Sequence, residues 1–165
     1  YESEPLYIKA LSESIKRVLR KIKWKPDAIV ASYHGIPKKY FEKGDPYHCH
    51  CAKTARLLRE KLGMSEDNFK LTFQSRFGPA KWIEPYTETT LRELGEAGYK
   101  NIAVITPGFI SDCVETLEEI AIEARETFIE AGGENFTTVP CLNSSPESVK
   151  LLGQLAHAEL AGWIA

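Results

Sequence analysis

Apolar residues in the first stretch of the chain recur at three- and four-residue steps. Ile8, Leu11, Ile15, Val18 and Ile22 form one stripe and predict a helix over Pro5 to Lys23. Pro26-Asp27 breaks that period, and Ala28-Ile29-Val30-Ala31 follows as a short continuous apolar run, the pattern of a buried strand. His34 comes directly after it, and Gly35 with Pro37 turns the chain away. Helical spacing returns from about Asp45 with Cys51, Ala55, Leu58 and Leu62 aligned and Gly63 as the stop. Phe69 to Phe73 alternates as a second strand, and Gln74 to Pro79 reads as a loop. A helix is expected over Pro85 to Gly95, opened by proline in its first turn.

Ile102 to Ile105 is the clearest strand, ended by Thr106-Pro107-Gly108. Ser111 or Asp112 then serves as N-cap of a helix that runs to Gly132-Gly133 and buries Val114, Leu117, Ala121, Ala124 and Phe128. Phe136 to Val139 reads as a fourth strand. A last helix over Pro146 to Gly162 turns Val149, Leu152, Leu155 and Ala156 inward. Strands alternating with helices predict an α/β fold of three layers, a parallel four-stranded sheet covered by helices on both faces.

Composition narrows the function classes. The 165 residues are the size of one domain, and 43% apolar content supports a real core. Twenty-one basic and 23 acidic side chains leave a charge of −2, so no nucleic-acid footprint is visible. The basic group Lys16, Arg17, Arg20, Lys21, Lys23 and Lys25 reads as a solvated helix face. No apolar run approaches the ~20 residues of a membrane span, and no secretory signal is visible, so a cytoplasmic protein is expected. Cys49, Cys51, Cys113 and Cys141 lack disulfide-framework spacing, and reduced thiols are expected. The chain opens at Tyr1, and its only methionine is Met64, so it is expected to be a piece of something longer.

Candidate chemistry collects at two strand ends, where open α/β sheets build their ligand crevices. His34 ends the first strand, and Glu115 lies in the first turn of a helix, where the dipole favours an anion. A neutral imidazole facing a carboxylate suits holding a divalent metal and moving protons. Glu119 and Glu123 follow Glu115 at i+4 spacing, which suits a solvated helix face or a ladder of hard oxygen ligands relaying a cation. His48-Cys49-His50-Cys51 lacks the second ligand pair that structural zinc needs, and Cys51 falls on the apolar stripe, so the cysteines are not expected to bind metal. Trp82 suits packing or an aromatic platform for a flat ligand.

Four segments resemble the ferrochelatases, the enzymes that insert ferrous iron into a porphyrin. They are Ser32-Tyr33-His34-Gly35-Ile36-Pro37, Lys43-Gly44-Asp45-Pro46-Tyr47, Phe73-Gln74-Ser75-Arg76-Phe77-Gly78-Pro79 with Trp82, and Ser111-Asp112-Cys113-Val114-Glu115-Thr116-Leu117-Glu118-Glu119. The resemblance implies a chelatase-like, Rossmann-like lobe over residues 1–165, the C-terminal half of a two-lobed enzyme whose N-terminal lobe is absent here. It implies His34 and Glu115 as catalytic and metal-site residues, Glu119 and Glu123 as an acidic row leading away, and Tyr33, Pro37, Ser75 and Trp82 at the porphyrin. A cleft-facing surface that exposes apolar groups such as Trp82 is expected from it.

The implied reaction is insertion of Fe2+ into protoporphyrin IX to form protohaem, the last step of haem biosynthesis. Iron and porphyrin are substrates, and no tightly bound cofactor is expected. Cys113 stands where many members carry a histidine, so a role of that histidine in iron delivery is not carried over. Members with an iron-sulfur cluster hold most of its cysteines in a C-terminal extension, and no cysteine follows Cys141, so no cluster is expected. The implied partners are the N-terminal lobe and, through it, the inner membrane as a peripheral contact. Two other readings stay open: a chelatase for coproporphyrin, sirohydrochlorin or a cobalt precorrin, and a non-catalytic α/β ligand-binding domain.

Overall fold

A computed structural model describes residues 1–163. Four strands form a single parallel sheet in the order β2-β1-β3-β4, with β1 Ala28–His34, β2 Phe69–Gln74, β3 Asn101–Ile105 and β4 Asn135–Val139. The helices are α1 Pro5–Leu19, α2 Lys38–Glu42, α3 Tyr47–Leu62, α4 Thr87–Glu96, α5 Arg125–Glu130 and α6 Pro146–Glu159, and a π-helix, Glu115–Ala124, runs directly into α5. The three-layer parallel α/β architecture read from the hydrophobic pattern is the one observed.

Strand periodicity divides the core in two. Ile29, Ala31 and Tyr33 face α1, α3 and α6, where Ile15, Leu58 and Leu151 are fully buried. Ala28 and Val30 face the opposite layer, with Leu91 of α4, Ile120 of the π-helix and Phe128 of α5. His34 shares the parity of Ala28, Val30 and Ser32, so the strand pleat turns it toward the π-helix layer, while Tyr33 turns away.

Several expectations are corrected. Strand β1 continues to His34, because His34 still pairs with Gln74 in the β1–β2 register. Helix α1 stops at Leu19, ahead of the exposed lysines 21, 23 and 25. Helix α4 begins at Thr87, so Pro85 lies outside it, and its carbonyl instead accepts from Phe73 N. The short helix α2 follows the Gly35–Pro37 turn without a signal in the apolar pattern.

The largest correction concerns residues 114–130. The helix starts at Val114, and neither Ser111 nor Asp112 caps its backbone. Residues 115–124 take the wider i→i+5 turn, which brings positions four to five apart onto one face. The buried line is therefore Thr116, Ile120, Ala124 and Phe128, whereas Val114 and Leu117 are 62% and 57% exposed. In α6 the buried positions are Ser148 and Leu151, and Val149, Leu152 and Ala156 face outward.

Candidate functional site

The C-terminal ends of β1 and β2 and the first turn of the π-helix meet at one rim of the sheet. His34, the last residue of β1, is partly exposed, and its Nδ1 lies 2.6 Å from the Gly35 carbonyl oxygen. Its ring centroid stands 6.3 Å from those of Trp82 and Phe109. Tyr47 of α3 donates from its hydroxyl to the His34 carbonyl at 2.9 Å, so a second layer ties down the strand end that presents the imidazole.

Glu115 opens the π-helix beside it. A hydrogen bond from the Cys113 thiol holds its carboxyl below the usual carboxylate value, and the helix backbone and the nearby His34 charge act in the same direction. Glu115 thus stays anionic, and burial, helped by the same contact, pushes the Cys113 thiol upward. An imidazole and an adjacent carboxylate form a proton-accepting, cation-tolerant pair.

Glu119 has a different local role. Its carboxylate accepts from the Ser75 backbone N, from the Ser75 hydroxyl at 2.6 Å and from Gln74 Nε2 at 3.2 Å. These bonds clamp the start of the β2–α4 loop, where Ser75 takes a left-handed φ of 63°. A carboxylate receiving three donors offsets the cost of that conformation. Glu123 is exposed one turn further on.

An open groove of about 670 Å³ runs along this wall, with the glutamates of the π-helix and α5 on one side and Ser75, Arg76 and Tyr86 on the other. The Arg76 guanidinium lies 4.5 Å from the Tyr86 ring centroid. Glu115, Glu119, Glu123 and Ser75 therefore share one concavity, and His34 stands just outside it. Among the described residues no group of three or more His, Cys, Asp or Glu side chains converges to hold a metal ion. No helix among them is long and apolar enough to cross a membrane.

Pro37 pairs with Trp82 in an isolated antiparallel bridge that folds the two turns against each other. Trp82 is 6% exposed, its indole N–H donates to the Phe77 carbonyl at 3.1 Å, and it packs over Gly35, where a Cβ would come within 3.1 Å of the ring. The expectation of an exposed Trp82 is thus overturned; the exposed aromatic beside it is Phe77, at 78%. Tyr33 is buried on the α1/α3 side, packed near Phe73, and does not join the rim. Sequence reasoning missed Gln74 and Tyr47, whose roles come from partners distant in the chain, and the Cys113–Glu115 contact, which is local but carries no pattern of its own.

A sequence model of the ferrochelatase family matches residues 1–160. The ferrochelatase of Rhizobium meliloti (strain 1021) is 56% identical over 164 residues, covering 99% of this chain and 48% of that protein. Those of Agrobacterium fabrum and Brucella ovis are 55% and 53% identical over the same length, covering 99% of this chain and 48% and 47% of their own. The chain spans about half the length of the curated relatives it matches.

Proposed function

The chain belongs to the ferrochelatase family, and from that premise we propose that it is the C-terminal lobe of a two-lobed enzyme inserting ferrous iron into protoporphyrin IX. What supports this reading is that His34, on the pleat face of β1 that turns toward the π-helix, and an ionised Glu115 at the start of that helix lie at one rim of the sheet. Metalation must remove two pyrrole protons as Fe2+ enters, giving neutral protohaem and two protons. His34 accepts a pyrrole proton and passes it to solvent, while Glu115 balances the incoming cation and orients the imidazole.

A flat porphyrin aims its nitrogen lone pairs at its own centre, so binding must bend it. Strain of about 1–5 kcal/mol is typical of such ground-state distortion. Ser75 and Pro37 shape this lobe's side of the cleft, buried Trp82 backs Pro37 from beneath, and Tyr33 acts from the other face of the sheet by anchoring the end of β1. The acidic wall through Glu119 and Glu123 draws the hydrated cation toward the rim. The N-terminal lobe supplies the opposite wall, and through it the enzyme rests on the cytoplasmic side of the inner membrane.

Iron insertion by the full-length parent tests this. His34→Ala is expected to lower turnover by at least about a hundredfold with the fold intact, the range lost with a general base, and Glu115→Gln to cripple it as well. Near-parental rates in His34→Ala would refute the assignment. A panel of porphyrins in the same assay separates protoporphyrin from coproporphyrin and other tetrapyrroles.

A further inference from the structure

Gln74 is the last residue of β2, and its side chain lies between the two elements that carry the proposed pair. Its backbone carbonyl accepts from Gly35 N at 2.8 Å, immediately after His34. Its side-chain Oε1 accepts from the Ser32 hydroxyl at 2.8 Å, on the β1 face that also presents His34. Its Nε2 donates to the main-chain carbonyl of Glu115 at 2.8 Å and to the Glu119 carboxylate at 3.2 Å. One residue, 4% exposed, thus bridges the strand end and the first turn of the π-helix.

The chemistry of the partners fixes the amide's orientation. A carbonyl and a carboxylate can only accept, so the NH2 must face the π-helix and the oxygen must face Ser32. Buried hydroxyls back the oxygen side, with Ser32 Oγ 2.7 Å from Thr87 Oγ1 and Thr87 Oγ1 2.9 Å from Thr72 Oγ1. An apolar side chain of similar volume would fill this space and would not tie the sheet to the helix. The tie reaches the main chain of Glu115, so a change there moves the carboxylate without removing it.

We propose that Gln74 is a positioning residue for metal insertion, holding the first turn of the π-helix, which carries Glu115, against the strand end that carries His34 through its single buried amide. The inference rests on the His34–Glu115 reading above. Gln74 touches no reacting atom; it acts by holding Glu115 where the charge it supplies is useful.

The test measures iron insertion by the full-length parent carrying Gln74→Leu, which keeps volume and loses every side-chain polar contact, and Gln74→Glu, which is isosteric and replaces the NH2 with an acceptor. Gln74→Asn, one methylene short, covers a folding failure of the others. The expected result is a loss in kcat of about tenfold or more, the size seen on removing groups that orient active-site ligands, with KM for porphyrin within about threefold. Unfolding midpoints should stay within a few degrees of the parent.

A kcat within about threefold of the parent, or a loss expressed only in KM, overturns the proposal. So does failure of all three variants to fold, which would make Gln74 a core residue and nothing more. His34→Ala in the same assay separates the two ideas. If it stays active, the site reading fails; if it is inactive while the Gln74 variants work, only the positioning role fails.

Discussion

Two glycines in this chain should respond oppositely to the same added methyl group. A Cβ on Gly133 would stand 2.2, 2.4 and 2.5 Å from Cε1, Cδ1 and Cζ of Phe128. Ordinary carbon–carbon contact is roughly 3.5–4.0 Å, so the ring must retreat by more than about 1 Å. It has no room, being fully buried beside Phe136 at a centroid distance of 6.2 Å. Overpacking of this kind costs about 1–3 kcal/mol, which for a domain of this size lowers the melting midpoint by roughly 2–12 °C. Gly153 sits inside α6 with nothing within 4 Å of its notional Cβ. Gly153→Ala should therefore stabilise the helix by about 0.5–1 kcal/mol, raising the midpoint by roughly 1–4 °C. Thermal melts followed by circular dichroism on both variants make the comparison. A Gly133→Ala chain that melts with or above the parent would refute the claim that Phe128 has nowhere to go.

Asp112 should contribute acid-sensitive stability. Burial alone pushes its carboxyl upward, but hydrogen bonds from Asn143 Nδ2, Cys141 N and the Thr116 hydroxyl outweigh this and hold it below its ordinary value. A depressed folded-state value means the stabilisation is complete above the ordinary carboxylate range and lost as pH falls through the folded value. Below about pH 4 the parent should thus lose stability more steeply than Asp112→Asn, and equal slopes in melts across that range would count against it. The thiols should divide by burial, which pushes Cys51 and Cys141 up to about 12, whereas Cys49 is exposed. With a thiol reagent at about pH 8, well below those values, mass spectrometry should find Cys49 modified first and Cys51 and Cys141 protected until denaturation. Early labelling of Cys141 would contradict the structure.

Where burial followed a simple period, the sequence was a faithful guide. The run Ala28 to Ala31 and the set Cys51, Ala55 and Leu58 behave as read, because one continuous apolar face decides their placement. Val114 and Leu117 fall on the apolar face of an α-helical period, but the segment's turn closes at i+5 and leaves both exposed. No local propensity marks that turn, and contacts from β2 and its loop, Gln74 to the Glu115 carbonyl and Ser75 to Glu119, accompany it. His34 and Glu115 were legible as candidates by their positions at strand and helix ends. The groups around them were not, since Gln74 is 41 residues from Glu115 in the chain and Tyr47 is 13 from His34. Trp82 misled for a related reason: its burial depends on the bridge to Pro37, which composition cannot reveal.

The sheet order carries a kinetic consequence. Strand β1 is central and is made before the other three strands of its sheet, yet its partners are distant, with Ile29 pairing with Phe69 on one side and Ala103 on the other. No ladder can form between strands adjacent in sequence without a crossover of dozens of residues, so every pairing must first close a long loop. Contacts of such high sequence separation slow folding, and β1 spends that interval as an apolar segment with two unpaired edges. During synthesis the buried run Ala28 to Ala31 therefore lacks one of its two neighbours until β3 emerges.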